Sequence, residues 1–146
     1  MTVSARDADD RAAQLVILTE RLTECLSTEV TALEAQRPLD IRDSVEETRK
    51  LSVIYRQESA RLKADPSLLN GISALSKQRL RAATQAFVDI SERHARAVDA
   101  ARSVSEGLLK AVADSLAEMR KPSLTYGPGA SVNDRSAQSL NYGFRA

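Results

Sequence analysis

Residues 66–120 read PSLLNGISALSKQRLRAATQAFVDISERHARAVDAARSVSEGLLKAVADSLAEMR, and nothing in that run forces a helix to stop. Asp65-Pro66 ahead of it is a start signal, an acid as N-cap with proline at the first helical position. Ile72, Leu75, Ala82, Ala86, Ile90, Ala97, Ala101, Val104, Leu108, Val112 and Met119 keep a period of three or four. That is the apolar stripe of an amphipathic helix, here roughly 80 Å long at 1.5 Å per residue. Gly71 and Gly107 weaken it by about 1 kcal/mol each. Asn70-Gly71 is also a turn signal, so Gly71 is a second candidate for the start.

A helix of that length needs an apolar neighbour to be stable in water. Two upstream segments supply candidates. The first, from about Asp9 to Gln36, carries Leu15, Leu18, Leu22, Leu26, Val30 and Leu33 on one face. The second, from about Asp40 to Ala64, carries Ile41, Val45, Thr48, Ser52 and Tyr55, widened by Leu51, Ile54 and Leu62. Its charged remainder, Glu58 included, reads as solvated surface. Arg37-Pro38-Leu39-Asp40 lies between the two, either separating two helices with Asp40 as N-cap or kinking one long helix. Together they match the third segment in length, and the simplest arrangement folds them back antiparallel against it. The fold class expected is all-α, a long antiparallel helical hairpin or coiled coil of two to three helices. A flexible start over residues 1–8 precedes that domain, 9–120, and a disordered partner-docking tail over 121–146 follows it.

Composition agrees with narrow helical seams. The 146 residues include only 3% aromatics and no Trp, where an ordinary globular core holds more large rings. Basic and acidic residues nearly cancel, 21 against 20, which argues against a strongly cationic nucleic-acid or membrane-surface binder. The N-terminus is polar and acidic, without the basic and apolar regions of a signal peptide, and the longest apolar runs are too short to span a bilayer. The expected location is the cytoplasm.

No catalytic constellation is visible. Cys25 beside the first stripe reads as a buried structural thiol. His94 reads as a surface or seam histidine, since one imidazole makes no metal site. Glu46 and Glu47 are adjacent and point apart on a helix. Tyr126-Gly127-Pro128-Gly129 lacks the strand and the Lys-Ser/Thr of a phosphate loop. Arginines at 79, 81, 93 and 96 are interrupted by acids at 89, 92 and 99, which weakens any nucleic-acid site. The expectation is no enzyme, no cofactor and no metal. What remains is surface for a protein partner: Val104, Leu108, Leu109, Val112, Leu116 and Met119 on the late third helix. Leu109 and Leu116 lie off the main seam and alternatively pack on the first segments. The tail holds Tyr126, Tyr142 and Phe144, rings of the kind that anchor interfaces.

Four segments, 51–66 (LSVIYRQESARLKADP), 87–95 (FVDISERHA), 106–112 (EGLLKAV) and 122–129 (PSLTYGPG), carry a resemblance. In that order they resemble the flagellar export chaperones of the FlgN type, and within them the shorter alphaproteobacterial branch labelled FlbY. The resemblance covers roughly residues 10 to 130. It departs from the family pattern at His94-Ala95-Arg96, where an Asn is frequent, at Gly129, one residue early, and beyond Asn133. It implies a chaperone that binds hook-associated proteins, the hook–filament junction subunits, before export and delivers them to the flagellar type III export apparatus. Partner binding would fall on the late third helix and the tail, with Tyr126 docking at the export gate; Tyr142 and Phe144 lie beyond the matched part and are expected as tail anchors from their rings alone. From charge and apolar run length no nucleic acid and no membrane insertion are expected, and a homodimer is left open. The rival expectation is a structural coiled-coil adaptor or oligomerisation protein.

Overall fold

The computed structural model describes residues 5–121. Among them are three α-helices and no strand: α1 (Ala8–Glu34), α2 (Arg42–Ala64) and α3 (Ala74–Arg120). Two 3-10 turns, Pro38–Ile41 and Pro66–Leu69, join them. The expected all-helical coiled coil is present, and it has three helices. The tail expected to be disordered lies outside the described residues from position 122 onward, as do residues 1–4.

Each boundary has a local cause. Asp7 caps α1, its carboxylate accepting the Asp10 amide at 2.8 Å, so the helix starts at Ala8, one residue ahead of the expected Asp9. At the other end Gln36 adopts φ +58°, the Arg37 amide reaches back to the Ala32 carbonyl at 2.8 Å, and the Gln36 amide bonds Leu33 at 3.0 Å. These two bonds close a Schellman cap with glutamine where glycine is usual. Pro38 follows and prevents the helix from resuming. The chain therefore reverses here, and Pro38 separates two helices. Asp40, expected as the N-cap of α2, lies instead inside the 3-10 turn and pairs with Arg37 at 3.5 Å. Asp65-Pro66 opens a 3-10 turn only. The long helix begins after Gly71 (φ +82°), with the Ser73 hydroxyl accepting the Ser76 amide at 3.2 Å.

Cross-helix pairs set the directions. Along α1, residues 11, 21 and 29 meet residues 58, 47 and 48 of α2, so these helices are antiparallel. Residues 9, 29 and 34 meet 73, 94 and 93, so α1 and α3 run parallel. The first two segments thus lie side by side along the first part of α3 rather than end to end along its whole length. This follows from the reversal at Pro38, which turns about 40 Å of α1 back on itself.

α1 is the centre of the bundle. Ala12, Leu15, Leu18, Leu22, Cys25, Leu26, Val30 and Ala32 are buried, while α3 contributes Ala83 and Ala97. The stripe expected on α1 is the core, with Leu33 half-buried. On α3 the inward positions are Ser76, Leu80, Ala83, Phe87, Ile90, His94, Ala97 and Ala101, alternating by four and three. The expected stripe is out of register at Leu75, Ala82 and Ala86, all exposed. On α2 the inward row is Ile41, Ser44, Thr48, Leu51, Tyr55, Glu58 and Leu62; Val45 is exposed. Tyr55 meets Phe87 with ring centroids 4.8 Å apart, joining α2 to α3.

The start of α3 is tied to the start of α1 by Asp9, whose carboxylate accepts the Ser73 amide at 3.0 Å. Hydrogen bonds from Ser76 and Ser73 hold the Asp9 carboxyl below its ordinary value of 3.8. The shift is downward, so the tie is complete above that value and is lost as pH falls through the lower folded value. Amide exchange at Ser73 is expected to speed up in that acid window ahead of the core amides, as NMR would show.

Candidate functional site on the projecting end of α3

The bundle covers α3 only as far as Ala101, which is half-buried, and every residue from Arg102 to Lys121 is exposed. Nineteen residues, Arg102 to Arg120, thus project about 28 Å beyond their neighbours. The apolar stripe does not stop with the bundle. Ala97 and Ala101 lead into Val104, Leu108, Val112, Leu116 and Met119, still at steps of three and four. Val104 is 62% exposed, Leu108 65%, Leu109 70% and Met119 82%.

All six residues expected to bind a partner therefore stand on one open helix face. Leu109 and Leu116 do not pack on α1 or α2, which removes the alternative left open for them. The rest of the segment's surface is polar: Arg102 donates to Glu106 at 2.8 Å, and Lys121 to Glu118 at 2.6 Å. Burying one such Leu, Val or Met side chain against a partner is worth about 1.5–3 kcal/mol. Tyr126, Tyr142 and Phe144 lie outside the described residues.

Gly107 sits inside this segment with open space around the position of a Cβ. A helix with one unsupported face frays readily, and glycine adds to the cost. Gly107→Ala is expected to stabilise the segment by about 1 kcal/mol. Hydrogen exchange would read this as roughly fivefold greater protection across residues 102–120, with core amides unchanged.

A second open feature runs along the outer edge of the α1–α3 seam. Ala13, Val16, Ile17, Ala82 and Ala86 line a groove of about 760 Å³ there, with Glu20 and Arg79 at its rim. Among the described residues no group of three or more His, Cys, Asp or Glu is placed to hold a metal, and no helix is long and apolar enough to cross a membrane. Cys25 is buried, and burial is the main cause that pushes its thiol above the ordinary range, with the Glu47 charge adding to it.

The sequence reading missed the polar groups inside the bundle. Glu29 is buried among all three helices. One carboxylate oxygen accepts the hydroxyls of Thr48 at 2.6 Å and Ser44 at 3.1 Å, and the other meets His94 Nε2 at 2.7 Å. Glu58, read as surface, is 2% exposed and faces the buried Arg11 at 3.7 Å. The signal was present: Ser44, Thr48 and Glu58 fall at heptad spacing with Leu51 and Tyr55, so they share the inward row.

Among the described residues the molecule is a three-helix bundle that leaves the second part of its longest helix with an open apolar face. No family model matches the chain, and no solved structure matches it. It is 45% identical over 136 residues to the flagellar basal-body protein FlbY of Caulobacter vibrioides, an alignment covering 92% of this chain and 91% of that protein. The chain belongs to the FlbY family of flagellar proteins.

Proposed function

We propose that this chain is a flagellar assembly factor acting as an export chaperone of the FlgN type. It binds an apolar helix of a hook-associated protein on the projecting end of α3 and hands that protein to the type III export apparatus. One observation carries the reading: a chain of a flagellar family leaves the stripe Val104–Met119 unpartnered among the described residues, on a helix that outruns its own bundle. A sticky helix of a subunit awaiting export needs such a cover, reversible and free of chemistry. In this reading the protein is not an enzyme, needs no cofactor, binds no nucleic acid and works in the cytoplasm. Tyr126 docks at the export gate, and Tyr142 and Phe144 anchor the tail.

The test uses purified hook-associated proteins and three baits: the full chain, a chain ending at Arg120, and the full chain with Leu108→Glu and Val112→Glu. The expected result is capture by the first two and at least tenfold weaker capture by the third, since a central apolar contact is replaced by buried charge. No capture by any bait, with a stable homo-oligomer in light scattering, would move the assignment to a structural coiled-coil adaptor.

A further inference from the structure

The stripe on the projecting end of α3 is the uninterrupted continuation of the face that packs on α1. Inward positions run 87, 90, 94, 97, 101 against α1 and its turn, then 104, 108, 112 with no neighbour among the described residues. The interface is therefore already built along the first part of α3, and its second part lacks only a helix in the place where α1 would continue. α1 stops at Glu34 because its Schellman cap and Pro38 turn the chain away.

We infer that a single amphipathic helix of about five turns from a partner protein docks on Val104–Met119 as a coaxial continuation of α1, with its N-terminus against the α1 cap. This rests on the partner-binding reading given above and adds the shape, polarity and charge of what is bound. The polarity follows from the helix dipole. α1 carries no basic residue in its last turn, and Arg37 beyond it is engaged with Asp40. The negative pole at that end favours the positive N-terminus of an incoming helix and disfavours another C-terminus.

The same electrostatics count against a second copy of this chain. α1 blocks the parallel pairing of two α3 ends, because it occupies their common face as far as Ala101. An antiparallel pairing centred near Val112 would bring the C-terminus of one α3 against the C-terminus of α1. It would also set Arg102 of each copy against Arg120 of the other, since these two lie 18 residues, about five turns, apart on one flank. On the other flank stand Asp114 and Glu118. The pairings these flanks make along the helix, Arg102–Glu106 and Lys121–Glu118, are exposed and readily exchanged. The helix that fits carries leucine-like residues on its inner face, acids along the edge facing Arg102 and Arg120, and bases along the edge facing Asp114 and Glu118.

The test uses the full chain with Cys25→Ser and a spin label at Ala35→Cys or, separately, at Lys121→Cys. The probe is a synthetic 20-residue helix of the composition just described, labelled at its N-terminus or its C-terminus. Pulsed electron resonance should place the N-terminal label nearer position 35 than 121, and the C-terminal label the reverse. Leu108→Glu with Val112→Glu, kept helical by circular dichroism, should weaken probe binding at least tenfold. Opposite polarity, equal binding to that double variant, or no binding at all would overturn the inference. So would a chain dimer in sedimentation equilibrium that Val112→Glu dissolves, since the second copy would then be the occupant. Hook-associated proteins captured while the probe docks backwards would leave the chaperone reading standing without this inference. A correctly docked probe with no hook-associated protein captured would do the opposite.

Discussion

Glu58→Ala is expected to destabilise the bundle by about 3–5 kcal/mol, while Arg11→Met combined with Glu58→Leu is expected to leave stability unchanged or raise it. Arg11 and Glu58 are 8% and 2% exposed and face each other at 3.7 Å between α1 and α2. Removing the carboxylate leaves the guanidinium buried without its counter-charge, and a buried unpaired charge costs far more than a surface one. Removing both charges abolishes the desolvation cost as well as the attraction. Apolar side chains of similar volume then extend the row of Leu51, Tyr55 and Leu62. Urea denaturation of the single and double variants measures both. An additive loss in the double variant would show that the pair supplies net stability through its charge.

Glu29→Ala is the second large effect, an expected loss of about 3 kcal/mol or more. Its carboxylate is bonded at once to α2, through Ser44 and Thr48, and to α3, through His94. Hydrogen bonds to a charged group contribute about 1.5–3 kcal/mol each, and truncation leaves two hydroxyls and an imidazole facing a void. Glu29→Gln keeps the size and an acceptor, so its loss is expected to be the smaller of the two. The same denaturation measurement reads both, and His94→Ala in each background separates the α3 bond from the α2 bonds by a double-mutant cycle. Coupling near zero between Glu29 and His94 would refute the role of Glu29 as the three-way tie.

How much of this was legible in the sequence depended on contrast. The stripe of α1 was plain because six large apolar residues alternate with charge. Residues 104–119 were plain for the same reason. The first part of α3 was misread by one position, Ala82 and Ala86 in place of Ala83 and Phe87, because alanine is common on both faces there and marks neither. Ser44, Glu29 and Glu58 were hidden by a different cause. Each is buried by a partner on another helix, and spacing within one segment cannot show a pair formed between two. That the α3 stripe is bare also needed the structure, since the summed length of α1 and α2 suggested full cover until the reversal at Pro38 halved it.

The central place of α1 has a consequence in time. Its leucines are made first, yet the Asp9–Ser73 tie that seats α3 beside it spans 64 residues. At a synthesis rate of about 5–20 residues per second, that separation alone is about 3–13 s of translation. Until α3 arrives, the emerging chain has only α2, once that helix is made, to shield a helix that needs two neighbours. The α1–α2 hairpin, held by Glu29 and Arg11, is thus the shelter under which the rest of the molecule arrives.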